Sequence, residues 1–595
     1  MDAVTRAKER PGFRSVSLSR IFGGLDEKVE LGKVTPGMAK TRFLLIAFFF
    51  AGVIPGSAAS HRHKPERAAS TPRIIPGLGA VHHAVSTLNS EAQKFFDQGL
   101  ACIFGFDYET AQRCFEQAVK LDPNLAMGWW GLALSLGPNI NFPRDPAKEK
   151  AAYEAIQRAL KVQEIASEPE RGYINALAYR YSNDPKADVH QLDVAYRDAM
   201  ARLVRSYPDD LDAATLYAES LMDLHPWRLW FHDGRPNEGT EEIIAVLESV
   251  LRRDPNHLGA NHYYIHAVEG SPHPERGLAS ATRLESLAPA AGHLVHMPAH
   301  IQSQVGDHAG SVRSNQRAIV ADKKFFAAQG KGLVAVMYHA HNQHFLAYSA
   351  CLAGNYNEAK KAADAVAAIA APHIEEMPEM EGFLSNFISA QTYIAVAFER
   401  WDDILKMPAP DARHQIAMAA WHFGRAQAYG ARGNTAAAQK EQADWQQVTS
   451  KIKPEVMVTE TNNVGGIFKI QGNLIAAAVA ASQNDNKKTI DALTAAVADD
   501  DALDYSEPPG FFPPVRPTLG RALMGLKRFS DAEKVYRAAL ERSPRLPSAL
   551  VGLRDSLQAQ NRVYEARQIE QQIDTANTTS RTAGGARKRT GKLAD

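Results

Sequence analysis

The chain has 595 residues, 45% of them hydrophobic, which is enough to bury several domain-sized cores or one long stacked core and excludes general disorder. Lys plus Arg and Asp plus Glu both number 67, so there is no net positive field to attract phosphates, and nucleic acid is not an expected partner. The three cysteines, Cys102, Cys114 and Cys351, have no CxxC spacing; they exclude a disulfide framework and a thiolate zinc site and read as small core residues.

Residues 1–59 read as an N-terminal extension ending in a signal peptide. Lys40 and Arg42 precede an apolar run at 43–54, and Ser57, Ala58 and Ala59 provide small residues for cleavage before Ser60. The run is about a dozen residues long, against ~20 for a spanning helix, so export to the periplasm or medium is expected, with no stable membrane span after cleavage. The charged stretch 1–37 is long for the start of a signal, which points to translation from Met38; a start at Met1 would favour an N-terminal membrane anchor instead. Residues 60–88 are rich in Pro, His, Arg and Ser and read as a linker, and 575–595 as a disordered basic tail.

Between these ends the sequence repeats. In 92–125, Phe95, Gly99, Ala111, Phe115, Ala118 and Pro123 fall where two antiparallel helices need bulky fillers, small contact residues and a terminator. The next unit starts in register at Ala126, with Trp129, Leu132, Ala133 and Leu136 as its apolar stripe. Leu519, Gly520, Ala532, Tyr536, Ala539 and Pro544 repeat the pattern near the other end, followed by Leu550, Leu553, Leu557 and Ala566. Looser units start near Leu211, Leu258, Gly292, Ala340 and Ala419, with turns at Gly306-Asp307, Gly354-Asn355 and Gly433-Asn434.

This pattern resembles the tetratricopeptide repeat, whose period is 34. With the leader above, the likeness is to exported bacterial proteins of that kind. The resemblance implies an all-α fold: a right-handed helical-repeat solenoid of antiparallel helix pairs, with a concave groove lined by the first helix of each pair. The expected divisions are an N-terminal solenoid at 89–320, a middle solenoid at 321–504 and a C-terminal repeat pair at 505–574. Insertions at 225–238, 322–339 and 505–516 break the period, and loops inserted into a solenoid often sit over its binding face.

Eleven of the 21 histidines lie between His257 and His344. His262, His266 and Glu269 are spaced four and three apart, which puts them on one helix face; His293, His296 and His300 share a face in the next unit, and His341, His344 and Tyr348 in the third. Each set lies one step off the packing stripe, so all three are expected to face the groove. Imidazole sets of this kind suit a transition metal such as Zn, Cu or Fe, with His262, His266, Glu269, His293, His296, His300, His341 and His344 as candidate ligands. The plainer alternatives are histidines that hydrogen-bond one another or bind an anionic or aromatic ligand. Glu219 and Glu269 are the candidate catalytic carboxylates. Trp227, Trp230 and His232 in the inserted segment could cap the groove and contact a ligand beside Tyr348, or form a loop packed down by its own aromatics. For Glu507, with Pro508 and Pro509, a rigid connector is expected.

The zinc-protease motif H-E-x-x-H is absent, because Tyr263 follows His262. Chaperone-tail recognition is not expected either, since His and Tyr replace the Lys, Arg and Asn that the resemblance implies for a carboxylate clamp. Two functions remain open: an exported binding or scaffold protein whose groove holds a metal, a small molecule or a protein ligand, or a metal-dependent hydrolase or oxidoreductase on the same solenoid.

Overall fold

The computed structural model describes residues 72–513 and 515–585. The signal segment, the first part of the linker and the end of the basic tail lie outside the described residues. Among those described, regular structure is helical, with only three isolated β-bridges. Consecutive helices pack as antiparallel pairs: Ser90–Phe104 with Tyr108–Leu121, Gln415–Ala431 with Thr435–Thr449, Val464–Ser482 with Asn486–Asp501, and Val515–Gly525 with Phe529–Arg542.

Several turns inside the pairs share one local solution. A residue in the left-handed region ends the first helix, and an Asp or Asn then caps the second. Gly306 (φ +79°), Gly354 (φ +72°) and Gly433 (φ +69°) take the first position. The next residues, Asp307, Asn355 and Asn434, accept a backbone N–H three residues on. In the first pair the left-handed position is occupied by Phe106 (φ +55°), before the cap Asp107. A bulky side chain there costs about 1–2 kcal/mol of backbone strain.

Buried apolar residues form two main cores, one running from Leu78 to Ile301 and the other from Ile319 to Ala566. The second core takes in the C-terminal repeat pair, so no break in packing separates 321–504 from 505–574. The end of the expected linker is likewise part of the first body. Leu78 and Val85 are buried, the Ile75 N–H donates to Gln98 Oε1 at 2.6 Å, and the Ser86 N–H donates to Glu170 Oε1 at 2.7 Å. Backbone hydrogen bonding to buried side chains fixes this extended stretch, which composition alone marks as a tether.

Contacts across long sequence separation set up the site. His308 Nε2–H donates to the Pro544 carbonyl at 3.1 Å. Gln304 Nε2 donates to Tyr505 Oη at 3.4 Å and Glu507 Oε1 at 3.3 Å, and Gly270 packs under the Tyr505 ring. The segment at 505–507 therefore lies against the helices Leu258–Glu269 and Pro298–Gln304. Among the described residues one helix, Val464–Ser482, is long and apolar enough to cross a membrane; half of it is buried in the second core.

Close packing of the repeat is sharpest at Phe115, fully buried between Gly99 and Gly131. A Cβ on Gly99 would lie 2.7 Å from the ring, and one on Gly131 would overlap it. Gly131→Ala is expected to destabilise the protein by about 1–3 kcal/mol, outweighing the ~1 kcal/mol gained in helix propensity. Gly525→Ala, with open space around it, should be neutral or slightly stabilising. Thermal unfolding of the two variants checks this, and equal midpoints would contradict the packing argument.

Candidate metal centre

Four helices and one loop build the site. Leu258–Glu269 contributes His262, His266 and Glu269. The short helices Gly292–His296 and Pro298–Gln304, which meet at Met297-Pro298, contribute His293, His296 and His300. Leu333–Leu352 contributes His341, and the loop at 505–516 contributes Glu507.

The imidazoles fall into two triads. In the first, the His262 Nε2 lies 3.2 Å from both His266 Nε2 and His293 Nε2. In the second, the His296 Nε2 lies 2.6 Å from His300 Nε2 and 3.1 Å from His341 Nε2. Two nitrogens bound ~2.0–2.1 Å from one tetrahedral ion are about 3.3 Å apart, so three of these four separations match ligands of a common ion. The triads abut: the ring centroids of His266 and His300 are 5.7 Å apart, and those of His293 and His296 are 6.1 Å apart.

The outward nitrogens are fixed by acceptors. The His262 Nδ1–H donates to the Phe104 carbonyl at 2.6 Å, and the His266 Nδ1–H donates to Glu269 Oε1 at 2.9 Å. The His296 Nδ1–H donates to Asn315 Oδ1 at 2.7 Å; the Asn315 Nδ2 is committed to the Ser311 carbonyl at 2.9 Å, which sets the orientation of the amide. The His300 Nδ1–H is shared between Glu269 and Glu507. A metal-ligating histidine characteristically donates its other ring N–H to a carboxylate or carbonyl, and four of these six do so.

The electrostatics follow from enclosure. Burial, then the neighbouring imidazoles, lowers the pKa of His262, His266, His293, His296 and His341 well below the usual histidine range. Burial also opposes charge on His300, but Glu507 and Glu269 outweigh it and raise its pKa to about 10. Burial raises Glu269 and Glu507 against the pull of His300. In the metal-free protein a proton on His300 thus sits between its Nε2 and that of His296. No such proton separates His262 and His266. Both are neutral with hydrogen on Nδ1, so their Nε2 lone pairs face each other across 3.2 Å.

Aromatic rings close the site. Phe106 lies 4.7 Å from His262 and 5.8 Å from His266, Tyr338 stacks on His293 at 4.3 Å, and Phe345 lies 5.0 Å from both His296 and His300. Trp227, also left-handed at φ +60°, sets its ring edge 5.6 Å from His266. A narrow cleft lined by Ile140, Trp227, Trp230 and Tyr505 reaches His266 and Glu269.

This arrangement corrects the expected groove. The histidine faces are enclosed rather than open, because the three insertions supply Trp227, Tyr338 and Glu507 as walls. Seven of the eight predicted ligands converge; His344 does not. It is buried between Phe387 and Phe512, with neither ring nitrogen hydrogen-bonded. Three residues along its helix from His341, it turns instead into the second core. Glu219 also lies elsewhere, accepting from Tyr108 Oη at 3.3 Å in a buried network with Asp223 and Arg180, where burial and then Asp223 raise its pKa. Trp230 is held by its Nε1–H to the Ala267 carbonyl at 2.8 Å and flanks the cleft, whereas His232 is exposed. Tyr348 contacts Phe345 and Phe512 rather than the imidazoles. Glu507 and Phe106 were missed. Glu507 lies far away in sequence, but the Phe-Asp turn at 106–107, against Gly-Asp or Gly-Asn at 306–307, 354–355 and 433–434, was a readable signal.

The histidine cluster should stabilise the metal-free protein most near pH 6.5. The five depressed histidines bind fewer protons folded than unfolded below that pH, so each removes up to about 1.4 kcal/mol per pH unit as acid is added. Glu269 and Glu507, with raised pKa values, act in the opposite sense but number two against five. Above pH 6.5 the contribution of His300 is progressively lost towards pH 10. Thermal melts with chelator at pH 5, 6.5 and 9 measure this; a midpoint that does not fall at pH 5 would show that the imidazoles are not buried as described.

The tetratricopeptide repeat family matches residues 95–125 and 518–546. No curated protein sequence matches the chain. Among solved structures, the APC/C hetero-tetramer Cut9-Hcn1 aligns at 12% identity, covering 87% of this chain and 79% of that one, with a TM-score of 0.27. Yeast Tom70 aligns at 11% identity, covering 84% and 97%, with a TM-score of 0.26. Naa15/Naa10 bound to HypK-THB aligns at 11% identity, covering 84% and 73%, with a TM-score of 0.20. The chain is an all-α helical-repeat protein that carries tetratricopeptide repeats at 95–125 and 518–546.

Proposed function

We propose that this is an exported helical-repeat scaffold whose repeats bind a protein partner and whose enclosed histidine cluster holds a transition metal. The observation that carries the metal reading is the His262–His266 pair, whose Nε2 lone pairs face each other at 3.2 Å while both Nδ1–H groups are committed. Two buried acceptors in that position repel; the His293 Nε2–H can donate to His262 but leaves His266 Nε2 unpaired, whereas a transition metal takes all three neutral imidazole nitrogens as ligands. The carboxylate and carbonyl partners on the far side of the rings are those that orient metal-bound histidines. Export rests on the basic residues, apolar run and small residues of 40–59, and protein binding on the repeat type.

The cleft past Trp227 and Tyr505 to His266 and Glu269 favours a second reading, a metal-dependent hydrolase or oxidoreductase acting on a small molecule. In that reading Glu269 would orient the ligands and the metal would supply Lewis-acid or redox chemistry. Turnover of a small ester or phenol by the metal-loaded form alone would establish it, and equal background in both forms removes it.

Tag-free protein purified without chelator should contain at least one equivalent of transition metal by elemental analysis. Metal binding should raise the unfolding midpoint, by about 2.7 kcal/mol of stability at 100-fold excess over Kd. His266→Ala and His296→Ala should each lower the metal content with helical circular dichroism retained. Wild-type protein that carries no metal and binds none on titration refutes the reading.

A further inference from the structure

The six imidazoles could serve one ion with spare ligands, or two. Their grouping favours two. Each triad has one histidine whose Nε2 lies between the Nε2 atoms of the other two, His262 in the first and His296 in the second. The contacts between triads are of another kind, through ring faces and through Glu269. One oxygen of that carboxylate takes the His266 Nδ1–H and the other the His300 Nδ1–H. Glu269 thus ties one ligand of each triad together from behind, leaving every Nε2 directed inward.

The ligand set also bears on which metal fits. Neither triad contains a carboxylate or thiolate, so both offer only imidazole nitrogen. Imidazole suits zinc, copper, iron and nickel. Charge then separates copper, which has a monovalent form, from the others. The site is buried, and the anions against it are Glu269 and Glu507, both nearly inaccessible to solvent. Glu460 lies within the field of both, so at most three carboxylates bear on the two triads. Two monovalent cuprous ions need no more than two of these carboxylates for neutrality. Two dications would leave a surplus of positive charge even against all three, in an apolar enclosure walled by Phe106, Tyr338 and Phe345, which is costly.

We propose that the two triads form a binuclear copper centre, with one ion on His262, His266 and His293, the other on His296, His300 and His341, and Glu269 linking the halves. This inference rests on the metal reading above and goes further in stoichiometry and in the identity of the ion. Three nitrogens per ion leave each copper room for an exogenous ligand, and the cleft beside Trp227 and Tyr505 reaches His266 of the first triad.

The test uses the full chain, stripped of metal and titrated anaerobically with cuprous ion against a chromophoric cuprous chelator, and separately with zinc. Two equivalents of copper are expected for wild type. His293→Phe and His341→Phe, which keep a ring in each place, should each lower the affinity of one equivalent at least 100-fold and leave the other. Equimolar zinc should not displace the copper. One equivalent in wild type, lost in both variants, overturns the binuclear assignment but leaves the metal reading intact. Two equivalents of zinc that displace copper overturn the choice of copper alone. No uptake of either ion overturns both this inference and the reading on which it rests. The wild-type stoichiometry decides the matter even if a variant fails to fold.

Discussion

The tautomers of His262 and His266 are the constraint on which the centre depends. A backbone carbonyl can only accept, so the Phe104 oxygen holds hydrogen on Nδ1 of His262, and Glu269 does the same for His266. Each ring is left with a lone pair aimed at its neighbour. Surface histidines would relieve this by rotating or taking up a proton. Here burial denies the proton, and Phe106, Tyr263 and Trp227 hold the rings in place. The protein therefore maintains a preorganised arrangement that is unfavourable without a cation, as expected of a site that must bind metal without reorganising.

The backbone strain around the site supports the same view. Among the described residues Phe106 and Trp227 are the two aromatic residues in the left-handed region, and both set their rings against His266. The Phe106 position could hold glycine at lower strain, as the equivalent turns at 306, 354 and 433 do. At Phe106 the ~1–2 kcal/mol of strain is offset by burying the whole ring, worth roughly 1.5–3 kcal/mol, so the balance is near even. Stability alone gives little reason to prefer phenylalanine there. What the side chain adds is a dry wall beside two imidazoles, which lowers their pKa and excludes water from competing for a metal.

The legibility of the sequence divides along physical lines. Helix pairing, cap residues and the shared faces of His262/His266/Glu269 and His293/His296/His300 follow from local periodicity, so they could be read without coordinates. His341 could be read for the same reason, but its neighbour His344 could not, because a face of a helix does not reveal which core lies beyond it. The enclosure was not legible at all. Whether a groove is open or covered depends on where segments 200 residues away come to rest, and Glu507 reaches His300 only because the C-terminal repeats pack near Gln304 and His308. Glu219 shows the converse: it has suitable chemistry on a first helix, yet the Tyr108 hydroxyl and the neighbouring Asp223 and Arg180 engage it away from the imidazoles.

These contacts also give the second half of the chain a role that the repeat alone does not supply. In a stack of helix pairs each unit needs only its neighbours, and stability is nearly a sum of local terms. The links from Tyr505, Glu507 and Pro544 to residues 270–308 are non-local and couple the C-terminal repeats to the histidine helices. Loosening the packing at 505–544 would therefore expose His300 and remove one of its two carboxylates without altering any imidazole. Conversely, an ion bound at the triads would be held through His300 to Glu507, and so to the far end of the stack. By linkage, the occupancy of the centre and the docking of the C-terminal repeats must favour one another to the same extent.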